Sequence, residues 1–522
     1  MRPTLLLMIF LASSGILLHY WGKAQVNWPG FLAMLFFYSL IFFFGAYAAS
    51  LKKSSSVESM VLADRSVPLW IGMFTMSATW MGGGYINGTA EYTASSGLVW
   101  VQAPWCYALS LFVGGLFFAR KMRKFGFYTL LDPLEQRYGK KMTALLFLPA
   151  LSGEIFWTGA ILMALGTTFG TILGMDTGPS IVLSAVVAIA YTALGGLWAV
   201  ALTDVLQLIL MMVGLAVVVP YALEAGGGWS ASWAHYQEHF GAAAGFLPSR
   251  EALTGSYWMW WDNAWMLILG GVPWQVYFQR VLSARDSKTA VRLSYFAGII
   301  CLIGAIPSIL VGISSLSINW TDLGLSAAPD AASILPAAIR YATPGWVATI
   351  GLGAIAAAVM SSVDSSILSA STMASWNVVR PLFRPNMSSN QLEKVIKKSV
   401  WIIGIAALLL ALQVKSVYLL WFLCSDLVYC LLFAPLVLAL FDPKTNRIGA
   451  LAGFVVAALL RIGAGEPAFG LPAILPFPVT DADQVAIPFR TLAMGSGFII
   501  NMIVSRMSQN WYAPQPLKPI LS

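Results

Sequence analysis

Apolar residues along this chain come in long runs separated by short polar stretches. The runs cover about 4–20, 29–50, 66–90, 98–119, 142–173, 179–195, 199–222, 257–279, 293–316, 344–372, 399–414, 417–440, 448–465 and 487–505. A helix needs roughly 20 mainly apolar residues to cross a bilayer core, so the pattern predicts fourteen membrane helices. Lysine and arginine test that threading. With the N-terminus and every second loop on the cytoplasmic side, 24 basic residues fall inside and six outside, a strong positive-inside bias. The first run, MRPTLLLMIFLASSGILL, has a short basic start and an apolar core. It reads equally as a signal-like segment or as an extra N-terminal helix, over residues 1–25.

Composition agrees with the pattern. Of 522 residues, 58% are hydrophobic and 10% charged, against about a quarter charged in a soluble domain. The net charge of +8 then reports cytoplasmic loops facing lipid headgroups and not nucleic-acid binding. Cys106, Cys301, Cys424 and Cys430 fall in apolar runs and read as small buried hydrophobes. His19, His235 and His239 stand at no metal-ligand spacing, so a metalloenzyme is disfavoured and the chain is not expected to be an enzyme. The segment 223–256, rich in Gly, Ser and aromatics, reads as an extracellular cap.

Two runs are interrupted. FTMSATWMGGGYINGTAE carries Gly82-Gly83-Gly84 in the middle of a span, with Trp80 before and Asn87 after. Each glycine weakens a helix by about 1 kcal/mol against alanine, and irregular backbone at membrane depth is tolerated only inside protein or along a cavity. Five spans later, LILGGVPWQVYFQR breaks at Gly270, Gly271 and Pro273, with Trp274 following. Paired interruptions in corresponding spans mark a transporter's midplane site between two inverted halves. A third segment, AAAVMSSVDSSILSAS, sets Ala358, Ser362, Ser366 and Ala370 on one helical face with Ser361, Ser365 and Ser369 beside it. Asp364 lies in the same turns, and an ionisable group in a span is a functional candidate by default. Oxygen-rich surfaces of this kind suit Na⁺.

The segments TMSATWMGGGYINGTAE, GGLFFARKMRKFGFYTLLDPLEQRYGKKM, LPALSGEIFW, LGGVPWQVYFQRVLS, AAVMSSVDSSILSAS and LLWFLCSDLVY resemble the sodium/solute symporter family and, within it, the high-affinity choline transporter subfamily, over residues 29–510. The resemblance implies an all-α polytopic membrane protein of LeuT-like fold, a 5+5 inverted repeat with a leading helix and two trailing helices. The leading helix would be 29–50, the first repeat 66–222, the extracellular loop 223–256, the second repeat 257–440, the trailing helices 448–505 and a short cytoplasmic tail 506–522. It further implies sodium-coupled import of choline by alternating access at the plasma membrane. Trp80, Tyr107, Trp157, Trp274 and Trp421 would line the substrate pocket. One Na⁺ would be held by carbonyls of Ala78, Met81 and Ala358 and hydroxyls of Ser361 and Ser362. Asp204, Asp364 and Ser365 match a second cation site of some relatives; Asp204 reads equally as a helix N-cap. Chloride dependence is a further property of the relatives.

The residue types suit the expected ligand. A quaternary ammonium has no N–H to donate, and ring faces attract it at about 0.5–2 kcal/mol each without the desolvation that a carboxylate requires. The chain has 21 tryptophans, of which Trp21, Trp28, Trp229, Trp233, Trp258, Trp260, Trp261 and Trp320 read as interfacial belt residues. A betaine-like or carnitine-like zwitterion would want a basic group or a free helix N-terminus in the pocket, and the cage segments hold no Lys or Arg. A sensor would need an output domain and a channel no sodium coupling.

Overall fold

The computed structural model describes residues 2–20, 26–50, 57–193, 197–253, 255–466, 469–478 and 486–520. Trp21 and the ends of the 1–25 and 506–522 segments lie outside them. All fourteen apolar runs form helix. In chain order these are α1 (Arg2–Tyr20), α2 (Trp28–Ser50), the interrupted pair α3 (Leu69–Trp80) and α4 (Gly83–Ser96), α5 (Leu98–Phe125), α6 (Lys140–Leu173), α7 (Thr177–Thr192) and α8 (Leu197–Ala225). A further helix, α9 (Trp229–Phe240), occupies the stretch expected to be a plain loop. Its rings give it a packing face: Tyr236 is buried and donates to Thr93 O at 2.8 Å. Next come the second interrupted pair, α10 (Tyr257–Gly270) and α11 (Gln275–Ser283), then α12 (Ser287–Ser315), α13 (Gly345–Met373), α14 (Ser389–Gln413), α15 (Val417–Phe441), α16 (Arg447–Gly463) and α17 (Phe489–Met507). Six of these helices are long and apolar enough to cross a membrane by length and composition alone.

The apolar and polar positions are distributed as lipid demands. Ile299, Ile303 and Ile306 on α12, and Ile402, Ile405 and Leu409 on α14, form exposed stripes at helical spacing. The buried interior collects hydroxyls instead: Ser361, Ser362, Ser365, Ser366 and Ser369 of α13 are all buried. That helix packs against α2, α6 and α8. Two of the tryptophans expected in the interfacial belt are buried: Trp260 donates its indole N–H to Val99 O at 2.8 Å and Trp320 to Ser315 O at 3.1 Å. A ring whose N–H finds a carbonyl partner loses its reason to sit at the interface.

The two interrupted helices are spliced together at one end. Val67, just before α3, and Ala284, just after α11, form a parallel bridge, with Val67 N–H donating to Ser283 O at 3.1 Å and Arg285 N–H to Val67 O at 3.2 Å. Arg123 Nε donates to Ala284 O at 2.6 Å from α5.

The trailing helices are fastened by charge. Asp426 of α15 accepts from Arg461 Nε at 2.6 Å and Nη2 at 2.5 Å, and from Arg490 Nε at 3.1 Å. Asp262 of α10 accepts from the backbone N–H groups of Arg490 and Thr491 at 3.1 and 2.7 Å, so it caps the start of α17 from a neighbouring helix. Asp426→Ala removes the carboxylate shared by two buried guanidinium groups, leaving Arg461 to Glu466 and Arg490 to Asp262, which costs about 1–3 kcal/mol. The expected outcome is a melting temperature in detergent several degrees below that of the unaltered protein, followed by tryptophan fluorescence; an unchanged melt would show that this network carries no stability.

Candidate substrate and sodium site

The first break spans Met81 and Gly82, between α3 and α4. Met81 leaves helical geometry at φ −86°, ψ 45°, and Gly82 is extended at φ −78°, ψ −168°. The glycines there serve close approach. A Cβ on Gly82 would run into Ser362 of α13, and one on Gly84 would sit 2.9 Å from Trp421 Cγ. The freed carbonyls find protein donors: Ser362 Oγ lies 3.3 Å from both Ala78 O and Thr79 O. The second break lies at Gly271-Val272-Pro273. Trp274 is extended at φ −110°, ψ 132°, and its indole N–H donates back to Gly270 O at 2.8 Å, fixing the ring.

Between the breaks is a narrow cavity lined by Trp80, Tyr107, Trp157, Gly271, Trp274, Trp421 and Cys424. The five rings expected from the sequence therefore converge from α3, α5, α6, the second break and α15. None is more than 7% exposed. Trp157 meets Trp274 edge-to-face at 5.1 Å, and Tyr107 lies 5.2 Å from Trp421. Tyr107 Oη is positioned by Ser425 Oγ at 2.7 Å and donates to Trp421 O at 3.2 Å. Sequence reasoning missed Gly271 and Cys424 as lining residues, and Tyr85, whose ring packs 5.4 Å from Trp421. The position of Tyr85 directly after the glycine run was the available signal.

Beside the cavity, the residues expected around Na⁺ gather where α3 and α13 meet. Ala78 O faces Ser362, as above. Met81 is the first residue past α3, and Ala358 lies on α13 one turn before Ser362. Ser361 Oγ donates to Asp204 Oδ1, and Thr75 Oγ1 donates to Asp204 Oδ2 at 2.5 Å. Asp204 is fully buried, seven residues into α8, and is therefore no N-cap.

The second cation set is not assembled as expected. Asp204 and Ser365 are bridged by Arg280 of α11, whose Nη2 lies 3.4 Å from Asp204 Oδ2 and 2.6 Å from Ser365 Oγ. Asp364 instead accepts from Thr192 Oγ1 of α7 at 2.7 Å. A guanidinium already supplies the positive charge between Asp204 and Ser365. Arg280 has no local sequence signal, because its partners lie 76 and 85 positions away.

Two interrupted helices around a ring-lined cavity, with a hydroxyl-rich helix across the first break, define the class of midplane solute carriers. Comparison with solved structures agrees. A Na⁺-coupled sialic acid symporter in a substrate-bound outward-open state matches with a TM-score of 0.75 at 18% identity, over 94% of this chain and 99% of that one. The nucleobase-cation symporter Mhp1 in a closed conformation matches with a TM-score of 0.57 at 12% identity, over 87% and 94%. These establish a shared LeuT-like fold. The family model for the sodium:solute symporter family matches residues 60–457, and the chain belongs to that family. It is 44% identical over 513 residues to the Homo sapiens protein named high affinity choline transporter 1 (94% of this chain, 87% of that protein). It is 41% identical over 500 residues to the Drosophila melanogaster protein of the same name (94% and 79%). The chain is thus a multi-pass sodium-coupled transporter of the plasma membrane, taking a small-molecule substrate, and not an enzyme.

Ligand that binds the folded state raises its melting temperature, which gives the first break a direct test. Gly82→Ala is expected to lose the stabilisation that Na⁺ confers on the detergent-solubilised protein. Gly178→Ala, where a Cβ meets open space, is expected to keep it. Equal sodium-dependent shifts in both variants would separate the break from sodium binding.

Proposed function

We propose that the chain imports choline with Na⁺, holding the quaternary ammonium among ring faces and exposing the cavity alternately to the two sides. The observation that carries this is the lining itself: four indoles and a phenol, with no acidic or basic side chain on the wall. Five rings at about 0.5–2 kcal/mol each sum to several kcal/mol, and micromolar affinity requires about −8 kcal/mol, so the rings plus shape fit are of the right size. The names of the 41–44% identical relatives support the same substrate. Tyr107 Oη, already within a hydrogen-bonding cluster, is suited to meet the choline hydroxyl.

The repeat boundaries follow the same reading: 66–222 and 257–440 are the two halves, so that α3–α4 and α10–α11 are equivalent broken helices. Residues 29–50 lead and 448–505 trail. One Na⁺ sits between the first break and α13, on the carbonyls of Ala78, Met81 and Ala358 and the hydroxyls of Ser361 and Ser362. The Ser361 hydrogen bond to Asp204 leaves a lone pair of that hydroxyl for the ion. Asp204, Asp364 and Ser365 form a second site only when Arg280 withdraws. Chloride dependence extends the reading by family likeness. With the basic loops inside, the membrane potential favours uptake by about 2.3 kcal/mol per charge per 100 mV.

Radiolabelled choline uptake into proteoliposomes tests the proposal. Uptake should concentrate choline only under an inward Na⁺ gradient; gradient-independent equilibration would identify a facilitator or channel. Trp80→Ala and Trp274→Ala should each abolish uptake at normal surface expression, and normal transport in both would remove them from the pocket. Ser362→Ala should raise the Na⁺ concentration for half-maximal uptake several-fold.

A further inference from the structure

Glu154 lies on α6, three residues before Trp157, and is 2% exposed. Its carboxylate is held by hydroxyls of α13: Ser369 Oγ donates to Oε1 at 2.7 Å and Ser366 Oγ to Oε2 at 3.2 Å. Thr158 Oγ1 donates to its backbone carbonyl at 2.7 Å. Among the described residues no Lys, Arg or His comes within ion-pair distance of it. Arg280 is committed to Asp204 and Ser365. Hydroxyl dipoles orient a carboxylate without neutralising it, and a buried carboxylate without a cation is costly.

The geometry beside it indicates what could supply that cation. Trp157, one turn along α6, and Cys424 both line the ring cavity. Gly153, next to Glu154, brings α6 against Cys424; a Cβ there would be 2.8 Å from Cys424 O. Glu154 thus lies one turn from the residue by which α6 lines the cavity.

We infer that Glu154 is the countercharge of the transported ammonium, acting through the wall of the cavity and not by contact. The rings then recognise the methylated head by touch, while Glu154 favours a charged ligand over an uncharged one of the same shape. Setting the carboxylate behind the wall avoids stripping water from it in every cycle, and Coulomb attraction in this medium extends well beyond contact distance. The inference rests on the choline reading above and assigns to that site a residue outside its lining.

The test compares choline with 3,3-dimethylbutan-1-ol, its uncharged isostere, by competition against radiolabelled choline on the full-length protein in detergent. Glu154→Gln is expected to weaken choline about tenfold, or about 1.4 kcal/mol, with the inhibition constant of the alcohol unchanged. Glu154→Met, a second variant should the first fail to fold, shifts the ratio the same way, and Glu154→Asp preserves it. If both ligands weaken together, or neither does, Glu154 only fastens α6 to α13 and the inference falls. Absence of choline binding by the unaltered protein would overturn the choline reading and this inference with it, a result distinct from intact wild-type binding with an unchanged ratio in Glu154→Gln.

Discussion

A peptide group released from a helix inside a bilayer has no water to turn to, so its partners must come from protein. The architecture around residues 78–84 answers that requirement. The break is possible because α13 presents hydroxyls within reach of Ala78 O and Thr79 O, and because Gly82 lets that helix come close enough. The same carbonyls are the natural oxygen ligands of a hard monovalent cation. On the sodium reading proposed above, structural satisfaction and ion coordination would draw on one set of atoms.

Contact and charge are divided between different residues. The cavity wall is aromatic and uncharged, whereas Glu154, Asp204 and Asp364 are buried outside its lining, each held by hydroxyls from neighbouring helices. Arg280 balances only one of the three by direct pairing. On the reading proposed above, such an interior would attract a cation as a field while offering it only soft ring faces.

What the chain discloses about itself is local. Fourteen apolar runs and two interruptions, one of three glycines and one of glycines with a proline, are written in consecutive residues, and the helices follow them because lipid punishes any other arrangement. The ring cavity was legible for a different reason: the segments around Trp80, Trp157, Trp274 and Trp421 resemble those of known relatives. Pairings across the bundle were not legible. Nothing near Asp364 points to Thr192, 172 positions away, and nothing near Arg280 reveals that it bridges Asp204 to Ser365. The helix Trp229–Phe240 was missed because its Gly- and Ser-rich surroundings resemble a loop, while its stability comes from tertiary contacts such as that of Tyr236 with Thr93.

The bridge between Val67 and Ala284 has a mechanical consequence. It yokes the outer arm of each broken helix to the other by paired backbone bonds, reinforced from α5 by Arg123. Two arms so joined are held to one spacing by main-chain atoms, so neither can shift at this end without carrying the other or breaking those bonds.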